Sequence, residues 1–375
     1  MTATCLDRPH PDTEETLPYK RIRWNVLVPI VAVLALAGVW DRELSLLADI
    51  PIVVLLLGAV LAAVHHAEVV AHRVGEPFGA LVLAVAVTVI EVGLILTLMV
   101  SGGDKSAPLA RDTVFAAVMI TCNGIFGLAL LVGALRRRVA VFNSEGTGAA
   151  LATVAALATL TLVLPTFTTS EPGPRFSSAQ LAFAAVASLV LYGSFVAVQT
   201  LRHRDDFLPV EPERVAVADQ TPPSQRATWA SLGLLIMALV GVVGLAKTVS
   251  PAIESGVDAA GLPRAAVGVV IAMLVLLPEA LAALRAARDG RVQISLNLAL
   301  GSAMASIGLT IPAIAVASIW LDPPLLLGLG ATEMVLLALT VVVGVLTVVP
   351  GRATLLQGAV HLTLFAAFVF LAVAP

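Results

Sequence analysis

The segments LAVAVTVIEVGLIL (83–96) and AMLVLLPEALAAL (272–284) each carry one acidic side chain, Glu91 and Glu279, inside an otherwise apolar run. The runs extend over 78–100 and 264–287, long enough to cross roughly 30 Å of hydrocarbon as helices. Glu91 then lies about 20 Å of helix rise from Phe78, and Glu279 about the same from Arg264. Both carboxyls fall near the centre of a membrane, where a charged group costs roughly 2.5–3.5 kcal/mol on insertion scales. A side chain kept at that cost is expected to be paired or to have a chemical task. One such glutamate is readily explained as a protonated group bonding two helices together. Two at matching places in the chain are harder to explain that way.

The rest of the chain agrees with a membrane setting. Of 375 residues 59% are hydrophobic and 13% charged, with mean hydropathy +0.98. Soluble domains run at roughly 45–50% apolar and about 25% charged. The net charge of −3 excludes a basic nucleic-acid footprint. Cys5 and Cys122 offer neither a disulfide framework nor a zinc spacing. Residues 1–24 are polar and mixed in charge, unlike a secretory signal, and read as a cytoplasmic tail.

The expected fold is an all-α integral membrane protein of about eleven transmembrane helices. They are placed near 25–40, 50–71, 78–100, 113–135, 148–169, 179–201, 229–249, 264–287, 293–320, 323–349 and 354–374. Barrel strands are excluded because the runs are too long and do not alternate. With the N-terminus inside, 16 of the 22 lysines and arginines fall on the inner side and 6 on the outer. That bias predicts a cytoplasmic N-terminus and an external C-terminus, in a bacterial inner membrane.

The longest polar stretch, 202–228, separates spans two to six from spans seven to eleven. The predicted domains are therefore 25–201, one helix plus a first five-helix unit, and 229–375, a second unit. Five crossings are odd in number, so a second copy sits upside down relative to the first, the common design of secondary transporters. Glu91 and Glu279 each lie on the second helix of their unit.

Neighbouring residues extend the candidate site. Thr88 is one turn before Glu91 on the same face. Pro278 and Pro312 each lack a backbone donor and clash with the carbonyls of Leu274 and Gly308, which then need another partner or a kink. In ISLNLALGSAMASIGLTIP (294–312), Ser295, Ser302, Ser306 and Thr310 share one helix face, with Asn297, Gly301 and Gly308 beside it. Such a stripe serves either as oxygen ligands or as a close-packing surface. Asn123 occupies the matching place after the Glu91 helix. Glu333 and His361 also lie within spans, as proton relays or structural hydrogen-bonding groups. His65, Glu68 and His72 share a face near the inner surface, as a solvated helix end or a proton antenna. The acidic residues of 202–228 are mixed with arginines and read as solvated.

Several blocks resemble the ChaA-type calcium/cation–proton antiporters of the cation/calcium exchanger superfamily. They are GEPFGALVLAVAVTVIEVGLI (75–95), RDTVFAAVMI (111–120), LLPEALAALRAA (276–287), ISLNLALGSAMASIGLTIP (294–312) and GRATLLQGAVHLTLFAAF (351–368). The resemblance covers nearly all the chain from Trp24 and implies an extra N-terminal helix before two inverted five-helix repeats. It also implies that Glu91 and Glu279 bind cation and proton, with Asn123 and Gly301-Ser302 in the accompanying signatures. The chain departs from the superfamily where a Gly-Asn pair precedes each glutamate, reading Val87-Thr88 and Val275-Leu276, and has Ala305 where a glutamine is usual. Fewer amide ligands leave room for Na+ or K+ beside Ca2+.

Exchange of cations for protons by alternating access is therefore the expected function, with no resident cofactor. The expected partners are inorganic cations, protons and the lipid bilayer; the oligomeric state is not legible. A channel-like pathway and an intramembrane enzyme are the alternatives. Inverted repeats with lone carboxylates argue against the first. The spans contain no plausible Ser/His dyad, paired-aspartate motif or Asp-rich metal motif, which argues against the second. The charge bias carries a direct test. In intact cells, cysteine at Asp205→Cys should be shielded from a membrane-impermeant reagent, and cysteine at Lys105→Cys should be labelled. The reverse pattern would invert the orientation.

Overall fold

The computed structural model describes residues 24–40, 46–75, 78–102, 106–208, 223–320 and 325–375. Apolar sequence without long β-branched alternation winds into α1 (Trp24–Val39), α2 (Leu46–Val74), α3 (Phe78–Gly102), α4 (Leu109–Met119), α5 (Phe126–Arg137), α6 (Ser144–Ala158) and α7 (Leu164–Phe167). It continues in α8 (Ser178–Ala197), α9 (Gln225–Ala259), α10 (Ala265–Arg288), α11 (Val292–Ala317), α12 (Ala331–Val348) and α13 (Leu355–Val373). π-helical turns at Ile120–Ile125 and Thr159–Val163 join α4 to α5 and α6 to α7, and a third, Val198–Arg202, extends α8. Among the described residues, ten helical rods are long and apolar enough to cross a membrane, and α1 is a shorter apolar helix. The all-α membrane fold expected from hydropathy is the fold observed.

Backbone pairing outside the helices defines two faces. On one, β1 (Ala140–Val141) pairs antiparallel with β2 (Arg352–Ala353), joining the α5–α6 and α12–α13 connections. Arg136, Arg137 and Arg138 precede β1 and Arg352 lies in β2, so the pair marks the arginine-rich face. On the opposite face Gly328 N donates to Pro174 O, and the Arg111 guanidinium donates to Gly328 O. The buried core runs through both halves. One cluster gathers α4–α6 with α10–α13, and another gathers α1–α3 with α9.

Three boundaries differ from the sequence reading, each for a local reason. The tenth span starts at Ala331 rather than near 323. Residues 327–330 run extended because Leu329 N donates to Leu162 O, inside the π turn that precedes Pro165. The seventh span is longer than 229–249, filling Gln225–Ala259, and the Ser224 hydroxyl accepts from Ala227 N to cap its start. Within 202–228 the chain first makes a 3₁₀ turn, Arg204–Phe207, that packs onto the helices. The expectations for residues 1–23, and for Glu211, Glu213 and Asp219, lie outside the described residues.

Close helix approach is concentrated where the sequence supplies glycine. A side chain at Gly308 would come within 2.7 Å of the Tyr192 Cβ on α8, whereas Gly301, two turns earlier on the same side of α11, meets open space. The reading of both as close-approach glycines therefore holds for Gly308 alone. Overpacking typically costs about 1–3 kcal/mol. Gly308→Ala should lower the thermal unfolding temperature of the purified protein, while Gly301→Ala should leave it unchanged. Equal melting of the two variants would contradict this packing.

Candidate cation site

Glu91 lies midway along α3 and is 3% exposed. Its carboxylate accepts from two hydroxyls of α11. Ser306 donates to Oε1, and Thr310 donates to Oε2 at 2.8 Å. The i, i+4 spacing of Ser306 and Thr310 places both on one side of α11, so a single helix face answers both carboxylate oxygens. Thr88, also on α3, instead donates to Ala84 O at 2.8 Å, its own preceding turn.

Glu279 has a different environment. Its Oε2 is buried with no hydrogen-bond partner among the described residues. The residue lines a cavity of about 250 Å³ between α3, α8, α10 and α11, together with Asn297, Gly301, Ser302, Tyr192 and Gln199. Gln199 lies three residues from the end of the α8 rod at Arg202, and Asn297 six from Arg291, so the cavity reaches toward the arginine-rich face. One carboxyl is thus satisfied by hydroxyls, and the other presents an unpartnered oxygen beside a cavity.

The other sequence candidates are distributed around this centre. Ser302 lines the Glu279 cavity, whereas the Ser295 hydroxyl donates to Ala283 O on α10 at 2.8 Å. Asn297 lines the cavity too, but its amide is engaged: Nδ2 donates to Phe207 O and Oδ1 accepts from Gln293. Asn123 sits in the first π turn and meets neither glutamate by a hydrogen bond. It donates to Thr340 Oγ1 at 2.8 Å, and its Oδ1 lies 3.1 Å from His361 Nδ1. An amide oxygen only accepts, so His361 Nδ1 bears the hydrogen and Thr347 Oγ1 donates to Nε2 at 3.3 Å. The four side chains form a buried polar network linking the π turn to α12 and α13. Glu333 stands in the first turn of α12, near enough to Asp112 to repel it, and not at membrane depth. His65 and His66 both contact Asn25 of α1, while Glu68 is near Arg285.

Comparison with known proteins places the chain in a family. The profile of the family "Sodium/calcium exchanger protein" matches residues 45–201 and 230–374, on either side of the polar linker. The chain belongs to the sodium/calcium exchanger family. A relative named as an ionic transporter, y4hA of Sinorhizobium fredii, is 46% identical over 356 residues, covering 94% of this chain and 96% of its own. The sodium-potassium/proton antiporter ChaA of Escherichia coli is 32% identical over 366 residues, covering 96% and 98%. Among solved structures, native YfkE superposes with TM-score 0.70 at 15% identity over 94% of this chain and all of the other. The H+/Ca2+ exchanger CAX gives 0.68 at 16% identity over 92% and 86%. At those identities the likeness establishes the fold. The exchanger is a multi-pass secondary transporter of cations, and its relatives are transporters, not enzymes.

Several residues of the exchanger's polar interior escaped the sequence reading. Thr340 and Thr347 carry no signal in the sequence that sets them apart from other threonines within spans. Gln293 and Gln199 were lone amides in apolar runs, a signal that intramembrane polarity makes usable. Phe207 gave none. The His361 network generates a prediction. His361→Leu leaves Asn123 Oδ1 and the Thr347 hydroxyl without partners, a loss of roughly 1–3 kcal/mol, and should lower the melting temperature in detergent. His361→Gln, which keeps a donor and an acceptor, should recover most of it. If His361→Gln restores stability but not proton flux, the imidazole is a relay; if it restores both, the group is structural.

Proposed function

We propose that this exchanger moves protons against small inorganic cations, with Glu91 and Glu279 as the carboxylates that both ions share. The observation that carries this reading is the unequal pairing of the two. Glu91 of the first half is held by Ser306 and Thr310 of the second, and Glu279 presents an unpartnered oxygen beside a cavity. A bare charge in a low-dielectric site is costly, so each carboxyl is stable with a proton or with a cation, and the two occupancies exclude each other. Ser302, Ser306, Thr310 and Thr88 supply hard oxygen donors nearby, suited to Na+, K+ or Ca2+. One divalent cation against two protons, or one monovalent against one, keeps the site near neutral.

Two further elements belong to the proposal. The five-helix unit that follows the first helix within 25–201, and the unit 229–375, act as inverted repeats rocking about the shared site. Support comes from the packing, in which α3 of the first half lies on α11 of the second, and α10 of the second lies on α4 of the first. The arginine-rich face is cytoplasmic and the protein resides in the bacterial inner membrane.

The experiment is flux in proteoliposomes holding an internal pH dye, with Ca2+, Na+ and K+ added separately. Addition of the transported cation outside should move protons out without an imposed electrical potential, whereas a channel would follow the potential. Glu91→Gln and Glu279→Gln should each abolish the response while keeping the wild-type melting temperature. Normal flux in either folded variant would sink the shared-site reading. Ser302→Ala should raise the cation concentration for half-maximal response more than Ser295→Ala, because only Ser302 faces the cavity.

A further inference from the structure

The chain does not leave the membrane directly at the end of α8. After His203 it folds back as the turn Arg204–Phe207, laid across α6 and α11. Phe207 is 6% exposed, although it opens a polar linker, and its ring packs edge-on against Phe195 with centroids 5.5 Å apart. Phe195 is a cavity-lining residue. The Phe207 carbonyl accepts from Asn297 Nδ2 at 2.6 Å, and Asn297 also lines the cavity. Asn297 is itself fixed from behind. Gln293 Nε2 donates to Asn297 Oδ1 at 2.9 Å, and Gln293 Oε1 accepts from Asn143 N at 2.6 Å. Gln293 is fully buried, so this relay of amides is a built feature and not a surface contact. The main chain of Asp206 lies against Gly146, where any Cβ would overlap the Asp206 carbonyl.

We propose that Phe207 is a gate at the arginine-rich end of the Glu279 cavity, and that Asn297 and Gln293 are positioning residues that latch it shut. The inference deepens the cation–proton reading, on which its meaning for transport rests. The latch gives Asn297 a task at the cavity other than holding a cation: its Nδ2 donates to the Phe207 carbonyl and its Oδ1 accepts from Gln293. The turn lies on the helices through this hydrogen bond, the Phe195 contact and the Gly146 seat, and is not part of α8 or α11 itself, so it can lift without unfolding either helix. Lifting joins the cavity to the solution on the arginine-rich face. A cation then reaches Glu279 from that side.

Accessibility tests the gate without requiring transport. The probe is a hydrophilic maleimide, applied to purified protein carrying Gln199→Cys with Cys5→Ser and Cys122→Ser. Loss of one buried hydrogen bond shifts a closed–open balance about fivefold. Asn297→Ala should therefore raise the labelling rate of the Gln199→Cys thiol by about that factor. Phe207→Ala should raise it further, and Phe207→Leu, which keeps apolar bulk, much less. Should Phe207→Ala fail to fold, Asn297→Ala and Gln293→Leu still report on the latch. Equal labelling rates in the folded latch variants and the parent would overturn the gate. Exchange that survives Glu91→Gln or Glu279→Gln would instead remove the shared-site reading and leave the labelling result standing.

Discussion

A carboxylate inside hydrocarbon must be answered by donors, a proton or a cation, and the Glu91 pairing with α11 meets that demand across the two halves of the chain. Ser306 and Thr310 reach Glu91 only because α3 and α11 run side by side at one depth. That alignment in turn requires α11 to be buried nearly throughout, with Ala299, Leu300, Ala303, Met304, Ile307 and Ile311 under neighbouring helices. Small residues make this possible. Gly308 admits Tyr192, and Ala303 and Ala299 keep α11 narrow where α6, α8 and α10 converge. In a bilayer, where burying apolar surface drives little helix association, such contacts and interhelical hydrogen bonds are the main cohesive terms.

The sequence made the fold legible because hydrocarbon imposes a strong signal. A run of about twenty apolar residues has few readings, and a glutamate within one stands out. The polar face of α11 was legible from offsets of seven, four and four. What those hydroxyls touch was not legible, because one face of a long helix passes several neighbours. Near its start Ser295 meets the Ala283 carbonyl, at mid-length Ser302 opens onto the cavity, and beyond it Ser306 and Thr310 meet Glu91. The π turns were invisible, since an extra residue in a helical turn leaves no pattern in hydropathy. Asn123 was therefore placed with the glutamates by its position in the chain. In the structure its π turn aims it at His361 and Thr340, more than two hundred residues away. Partners at such separations become visible only when the helices are packed.

The two glutamates differ in their helices as well as in their partners. α3 has no proline, and the Thr88 hydroxyl adds a bond to its own preceding turn. α10 carries Pro278 immediately before Glu279, so the turn that presents the unpartnered oxygen lacks one backbone donor. Rigidity accompanies the satisfied carboxyl and a weakened turn accompanies the bare one.

That asymmetry bears on how two occupancies can be converted into movement. A ligand shifts a conformational equilibrium only by its unequal affinity for the two states. If both carboxyls were equally satisfied by protein donors, neither a proton nor a cation would gain much by arriving. If both were bare, the empty site would be too costly to fold. With Glu91 held by two hydroxyls and one oxygen of Glu279 left open, the proposed site would be stable enough to exist and incomplete enough to bind. The hydroxyls of Ser306 and Thr310 can turn from donating to Glu91 to offering oxygen to a cation. On the proposed mechanism, a cation drawn between the carboxyls therefore loosens the bonds that tie α3 to α11. On that proposal the contact that holds the two halves together in this state is also the one that ion binding would alter, which would couple occupancy to the relative position of the helices.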